Sequence, residues 1–416
     1  MERAELIPHL FRTEYRKITS VLCKLFGIDH LGLAEDIASD TFLQASETWS
    51  LKGLPPNPAA WLYTVAKNKA KDHLKHDAIF RQKVAKQLSF ETVEAGEIEI
   101  DLSDKNITDS QLQMLFAVCD PSIPAEAQVG LALRILCGFG ISEIAEAFLT
   151  NKEVINKRLF RAKEKLRTEK VAIAFPPHAE ISKRLQTVLT TLYLLFNEGY
   201  YSSGSDTTLR KDLCLEAMRL THLLIENETT DLPSVNALMA LMCFQSSRFE
   251  ARTGINGETI LYGDQDISLW NTELVQQGEH YLNLSSQGDE LSKYHLEAAI
   301  AYWHTIPGNG TDKWENILQL YNRLLQIEYS PIAALNRTYA LSMANGKQEA
   351  IIEAEKLQLD HLHLYHALLG ELYNGIDNAK AIAHFEEAAG LCKSAADRKL
   401  IAGKIVKLNT NKSFPA

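Results

Sequence analysis

The chain has 416 residues, of which 46% are apolar and 23% charged, with a formal net charge of -10. Ordinary domains run to about 100 to 200 residues, so roughly two to four are expected, and this balance of apolar and charged residues excludes general disorder. No segment approaches the roughly 18 consecutive apolar residues of a membrane span, and the N-terminal MERAELIPHLFRTEYRK lacks the apolar core of a secretory signal, so a cytosolic protein with no membrane partner is expected.

Apolar residues recur at three- and four-residue spacing almost throughout, without sustained alternation, which predicts an all-α protein. Breaks fall at PPNP (55–58), at the acidic tract FETVEAGEIEIDLSD (90–104) and at FPPH (175–178). They divide the chain into residues 1–88, mildly basic, an acidic linker at 89–107, a segment at 108–172 that is basic over 126–170, and an acidic remainder from 178 to 416. Six cysteines are scattered without a CxxC pair or a His/Cys cluster, so neither a disulfide framework nor a metal site is expected.

In AEDIASDTFLQASETW, Ile37, Thr41 and Ala45 form an inward stripe with Phe42 and Trp49 beside them. Asp36, Asp40 and Gln44 repeat every four residues on another side, with Glu35 and Glu47 near them, an acidic ridge suited either to a basic protein surface or to water. After the turn LKGLPPNP, the segment AWLYTVAKNKAKDHLKH places Leu62, Ala66, Ala70 and Leu74 on a buried line supported by Trp61 and Val65. Lys67, Lys71 and Lys75 share an exposed face flanked by Asn68, Lys69 and His76, a row that can meet successive phosphates or simply lie in solvent.

GISEIAEAFLTNKEVINKRLFRAKEKLRTEK has the grammar of helix, tight turn, helix. Ser142 is placed to cap the first helix, and Thr150 with Glu153 has the form of a capping box for the second. Ile155, Leu159, Ala162 and Leu166 give the second helix its packing face. Its other faces carry Asn156, Lys157, Arg158, Arg161 and Lys163, residue types that reach phosphates and base edges in a major groove.

The order of these elements and their wording resemble the extracytoplasmic-function branch of the sigma-70 family. LAEDIASDTFLQASETW is similar to the region-two helix that binds the polymerase clamp, and NPAAWLYTVAKNKAKDHLKH to the promoter-opening helix after it. The resemblance implies that Asp36, Asp40 and Gln44 contact core RNA polymerase and that Trp61, Lys67, Asn68, Lys71 and Lys75 contact the -10 region of promoter DNA, where flipped bases are captured. Residues 108 to 170 are similar to region four, which implies -35 contacts for Asn156, Lys157, Arg158, Arg161 and Lys163. The resemblance implies a specificity subunit that is not an enzyme and needs no cofactor. One departure is Val118-Cys119-Asp120-Pro121, standing where relatives with a long extension carry a Cys-Cys-His-Pro word.

The long C-terminal part contains LLGELYNGIDNAKAIAHFEEAA, in which Leu369, Gly370, Tyr373, Ala381, Phe385 and Ala388 fall close to tetratricopeptide spacing, and SPIAALNRTYALSMANGKQEAIIEAEKL is a weaker copy. An irregular helical solenoid is expected. VLTTLYLLFNEGYYSSGSD, ALMALMCFQSSRFEART and DQDISLWNTELVQQG resemble the extension of one subgroup of these sigma factors, in which it modulates activity. Asn197, Glu198, Arg219, Arg248, Asp264, Gln265, Asp266 and Trp270 are a candidate polar cluster for a regulatory protein or a small ligand, with a structural network of caps and pairs as the competing reading. The alternative for the whole chain is a helical-repeat scaffold or a ligand-sensing regulator whose basic N-terminal helices bind nucleic acid.

Overall fold

The computed structural model describes residues 3–87, 100–200, 210–252, 254, 260, 262–308, 310–392 and 395–410. Among them every regular element is helical, as the periodicity predicts. The chain divides into two compact units, Met1–Leu194 and Leu195–Ala416. Of the acidic linker expected at 89–107, residues up to 99 lie outside the described residues.

The first unit begins with α1 (Arg3–Phe26), α2 (Leu31–Lys52) and α3 (Pro58–Gln87). These three pack on one another through Ile18 and Leu22 of α1, Ile37, Phe42 and Trp49 of α2, and Leu62, Ala66 and Ala70 of α3, all buried. The sharp start of α3 is local chemistry: the Asn57 side chain accepts from the Ala60 amide at 3.0 Å, and Pro58 occupies the first helical position, where no amide is needed. Next come α4 (Asp104–Val118), α5 (Ala125–Leu131), a π-helical turn at Ala132–Leu136, α6 (Ile141–Ala147) and α7 (Lys152–Thr168). Ser103 caps α4 by accepting from the Asn106 amide, so the helix starts four residues before the boundary at 108 read from the sequence.

Helix α8 (Ile181–Tyr200) follows, and its first part belongs to this unit. There Arg184 pairs with Asp120 at 3.1 Å and donates to the Phe116 carbonyl at 2.8 Å. Thr191 donates to Gln128 at 2.7 Å, and the amide nitrogen of Gln128 holds the carbonyls of Asp120 and Ile123. The Val-Cys-Asp-Pro word therefore anchors the first part of α8, with its aspartate paired to Arg184.

The second unit contains α9 (Lys211–Ile225), α10 (Pro233–Ser246), α11 (Thr272–Ser285), α12 (Lys293–Thr305), α13 (Thr311–Ile327), α14 (Pro331–Ala344), α15 (Lys347–Lys356), α16 (His363–Tyr373), α17 (Asn378–Leu391) and α18 (Ala395–Thr410). From α12 onward each helix packs on the next in sequence. One continuous core runs through them, from Leu296 to Leu408. The sequence word at 368–389 supplies its best-defined joint: Leu369, Gly370, Tyr373, Ala381, Phe385 and Ala388 are all buried. A Cβ on Gly370 would stand 2.7 Å from the Phe385 ring, and one on Gly278 would stand 2.6 Å from Phe244. Both glycines thus let a helix sit directly on a facing aromatic ring.

Candidate functional site

On α2 the acidic ridge faces outward: Asp36, Asp40 and Gln44 are exposed, and Leu43 between them is 60% exposed. Lys69 of α3 approaches Asp40 to 4.0 Å. On α3, Asn68 and Lys75 are exposed while Lys67 and Lys71 are half-buried. Trp61 is half-buried, edge-on to Trp49 at 5.3 Å between centroids, so its ring is fixed by α2.

The helix-turn-helix at α6 and α7 forms, with both caps displaced by one or two residues from their expected places. Glu143, not Ser142, closes the first helix by accepting from the Gly140 amide at 2.7 Å; Ser142 already sits inside the helical turn. Asn151, not Thr150, caps α7 by accepting from the Val154 amide at 2.9 Å. The second shift adjoins the turn, where Leu149 stands in the left-handed region at φ 49°. Ile155, Leu159, Ala162 and Leu166 are buried as expected. Asn156, Lys157 and Arg161 are exposed, and Arg158 lies over the Phe148 ring at 5.4 Å.

Lys163 is placed differently from the other four. Its ammonium donates to Glu35 of α2 at 2.5 Å, and Arg134 donates to the other oxygen of the same carboxylate at 2.8 Å. Glu35 is only 8% exposed, although the sequence groups it with the outward ridge. A cavity of about 520 Å³ beside this bridge is lined also by Asn156, Lys157 and Phe160. One buried carboxylate therefore fastens the helix of the acidic ridge to the second helix of the helix-turn-helix.

The eight polar residues of the C-terminal part do not form one cluster. Asp264 and Asp266 are exposed, and Asp266 caps a short 3-10 turn by accepting from the Ser268 amide and hydroxyl at 2.9 and 2.7 Å. These two bonds hold its carboxyl below the usual range. Arg219 pairs with Glu216 at 2.8 Å and lines a cavity of about 700 Å³ between α9, α10 and α11. Asn197 and Glu198 are half-buried on α8, and burial raises the Glu198 carboxyl. Arg248, Gln265 and Trp270 gather elsewhere, around Tyr262.

Sequence reasoning missed the other members of that group. Tyr262 donates to the His304 carbonyl at 2.9 Å and meets the His304 ring edge-on at 5.0 Å. Lys313 donates to the Tyr262 hydroxyl at 2.9 Å. Burial first, then Arg248 and Lys313, drive His304 down to about 3, and burial and Arg248 push Lys313 down to about 8. A lysine in the first turn of an otherwise ordinary amphipathic helix gave no signal of this. The three residues His363, Cys392 and Asp397 bring metal-type ligand atoms within 4.8 Å of one another; His363 opens α16, Cys392 follows the end of α17 and Asp397 lies in the first turn of α18, so linear spacing does not reveal them.

Residues 10–78 match sigma-70 region 2, and residues 184–286 match a family of unknown function, DUF6596. An uncharacterized protein of Rhizobium meliloti (strain 1021) is 32% identical over 383 residues, 89% of this chain and 89% of that one. No solved structure matches the chain. Among the described residues no helix is long and apolar enough to cross a membrane.

Proposed function

We propose, since this chain belongs to the sigma-70 family, that it is an extracytoplasmic-function sigma factor: it joins core RNA polymerase, reads the -10 and -35 elements of promoter DNA, and carries a tetratricopeptide-like C-terminal extension that regulates it. The observation that carries this reading is the region 2 match over residues 10–78, within which the exposed Asp36, Asp40 and Gln44 ridge and the lysines of α3 both fall. Asp36, Asp40 and Gln44 are assigned to polymerase, and Trp61, Lys67, Asn68, Lys71 and Lys75 to unpaired -10 bases and their phosphates. Asn156, Lys157, Arg158 and Arg161 are assigned to the -35 major groove.

Lys163 takes a conditional place in this scheme. Two sites some 25 base pairs apart are separated by roughly 80 Å along a duplex that rises about 3.4 Å per base pair. A recognition helix fastened to α2 through Glu35 cannot reach one site while α3 occupies the other. The closed bridge is therefore assigned to the unengaged form, and Lys163 joins the DNA contacts only after Glu35 lets go.

The test is run-off transcription with purified core polymerase on a promoter library, using the full chain and its Lys67→Ala/Lys71→Ala variant. Starts at a fixed distance from a shared pair of motifs, lost in the variant while polymerase binding persists, are expected. Failure of the full chain to bind core polymerase would overturn the reading in favour of a helical-repeat scaffold.

A further inference from the structure

Among the described residues, the group around Tyr262 holds two cations and no counter-charge. Arg248 follows the C-terminus of α10 and is 9% exposed. Among the described residues, its hydrogen bond runs from Nη2 to the Tyr200 hydroxyl at 3.4 Å, and its Nε has no partner. Its guanidinium lies 5.4 Å from the Tyr262 ring centroid. Lys313, 5% exposed, lies 5.3 Å from the same centroid. Its three donors go to the Tyr262 hydroxyl and to the carbonyls of Ile306 and Gly308, at 2.9, 2.6 and 3.1 Å. All three acceptors are neutral, and among the described residues no carboxylate pairs with either cation.

The surrounding side chains add unused hydrogen-bonding capacity of the same sense. The indole N–H groups of Trp270 and Trp314 are buried without acceptors among the described residues. Trp270 lies 6.3 Å from Tyr262 and Trp314 lies 5.8 Å from His304, centroid to centroid. Buried charges are ordinarily paired and buried donors ordinarily bonded. A guanidinium with an idle edge, next to idle indole donors and a second cation, is complementary to an oxyanion, and its planar fork suits a carboxylate or a phosphate.

We propose that Arg248, Lys313 and the indole donors of Trp270 and Trp314 form a binding site for a small soluble oxyanion, a carboxylate or phosphate group, with Tyr262 as its aromatic wall. The ring supplies a water-excluding face on which an apolar body of the ligand can rest. The depressed ammonium of Lys313 agrees with a site that lacks its negative charge. This inference concerns the second unit alone and does not depend on the transcription reading.

The test is a titration of the full chain, without polymerase, with sodium phosphate or sodium succinate at constant ionic strength, followed by tryptophan fluorescence and by the thermal midpoint. Saturable binding of at least one anion is expected, weakened at least about tenfold by Arg248→Gln and retained by Arg219→Gln, whose arginine lies outside the group. Binding of phosphate alone identifies a phosphate site, and of succinate alone a carboxylate site. No saturable binding of either, or equal binding by Arg248→Gln, would overturn the proposal. Should Arg248→Gln fail to fold by circular dichroism, Trp270→Phe takes its place: weaker binding is expected and unchanged binding counts against the site.

Discussion

In the first unit Arg134 and Lys163 converge on Glu35, so that two cations share one buried carboxylate. In the second unit Arg248 and Lys313 converge on the Tyr262 ring and, among the described residues, share none. The first arrangement is complete within the chain and holds two helices together; the second is complete only when something else contributes the charge. Burial of ions is thus used once as a fastening and once as a vacancy of charge, and the sign of the missing group follows from the residues present.

The largest expected effect breaks the first arrangement. Glu35→Ala leaves two cations facing each other and should lower the stability of the first unit by about 3 kcal/mol, read from urea unfolding of the full chain. Gly370→Ala touches neither charge group but drives a methyl against the Phe385 ring, and should cost the second unit about 2 kcal/mol while leaving the oxyanion titration unchanged. Lys163→Met, with a partner that keeps Arg134, should cost about 1 kcal/mol, and combining it with Arg134→Met should depart from additivity by a similar amount. The smallest effect is the slope with pH between 7 and 6. His304 has a folded value near 3 and an unfolded value of 6.5, so the unfolded chain binds the proton first and the second unit loses stability as pH falls through 6.5 towards 3. Lys313, depressed from 10.5 to about 8, makes the same unit gain stability as pH rises between those values. A second-unit midpoint that is flat over both ranges would contradict this electrostatic account.

Much of this was legible in the sequence. The buried lines on α2, α3 and α7 and the joint of α16 with α17 follow from local periodicity, which local packing obeys. The cap of α7 fell one residue later than read, at Asn151, beside a turn in which Leu149 is left-handed, and no composition rule marks a leucine there. Glu35 was misplaced among exposed carboxylates because its partners lie 99 and 128 residues away. Arg248, Gln265 and Trp270 were singled out as polar groups where apolar helices converge, yet Lys313 and His304, which stand beside the same Tyr262 ring, come from helices whose own patterns are unremarkable. Long-range pairing of ions has no period, and that is the part a linear reading lacks.

All six thiols are buried, and burial raises Cys119, Cys214 and Cys243 to about 12. Cys23 is raised as well. Thiolates are the reactive form, so the native chain should resist alkylating reagents and peroxide alike. Cys23, Cys119 and Cys137 belong to the first unit, and Cys214, Cys243 and Cys392 to the second. Each unit therefore carries three internal reporters of its own opening, and the order in which they become alkylated under mild denaturant gives the order in which the two units unfold.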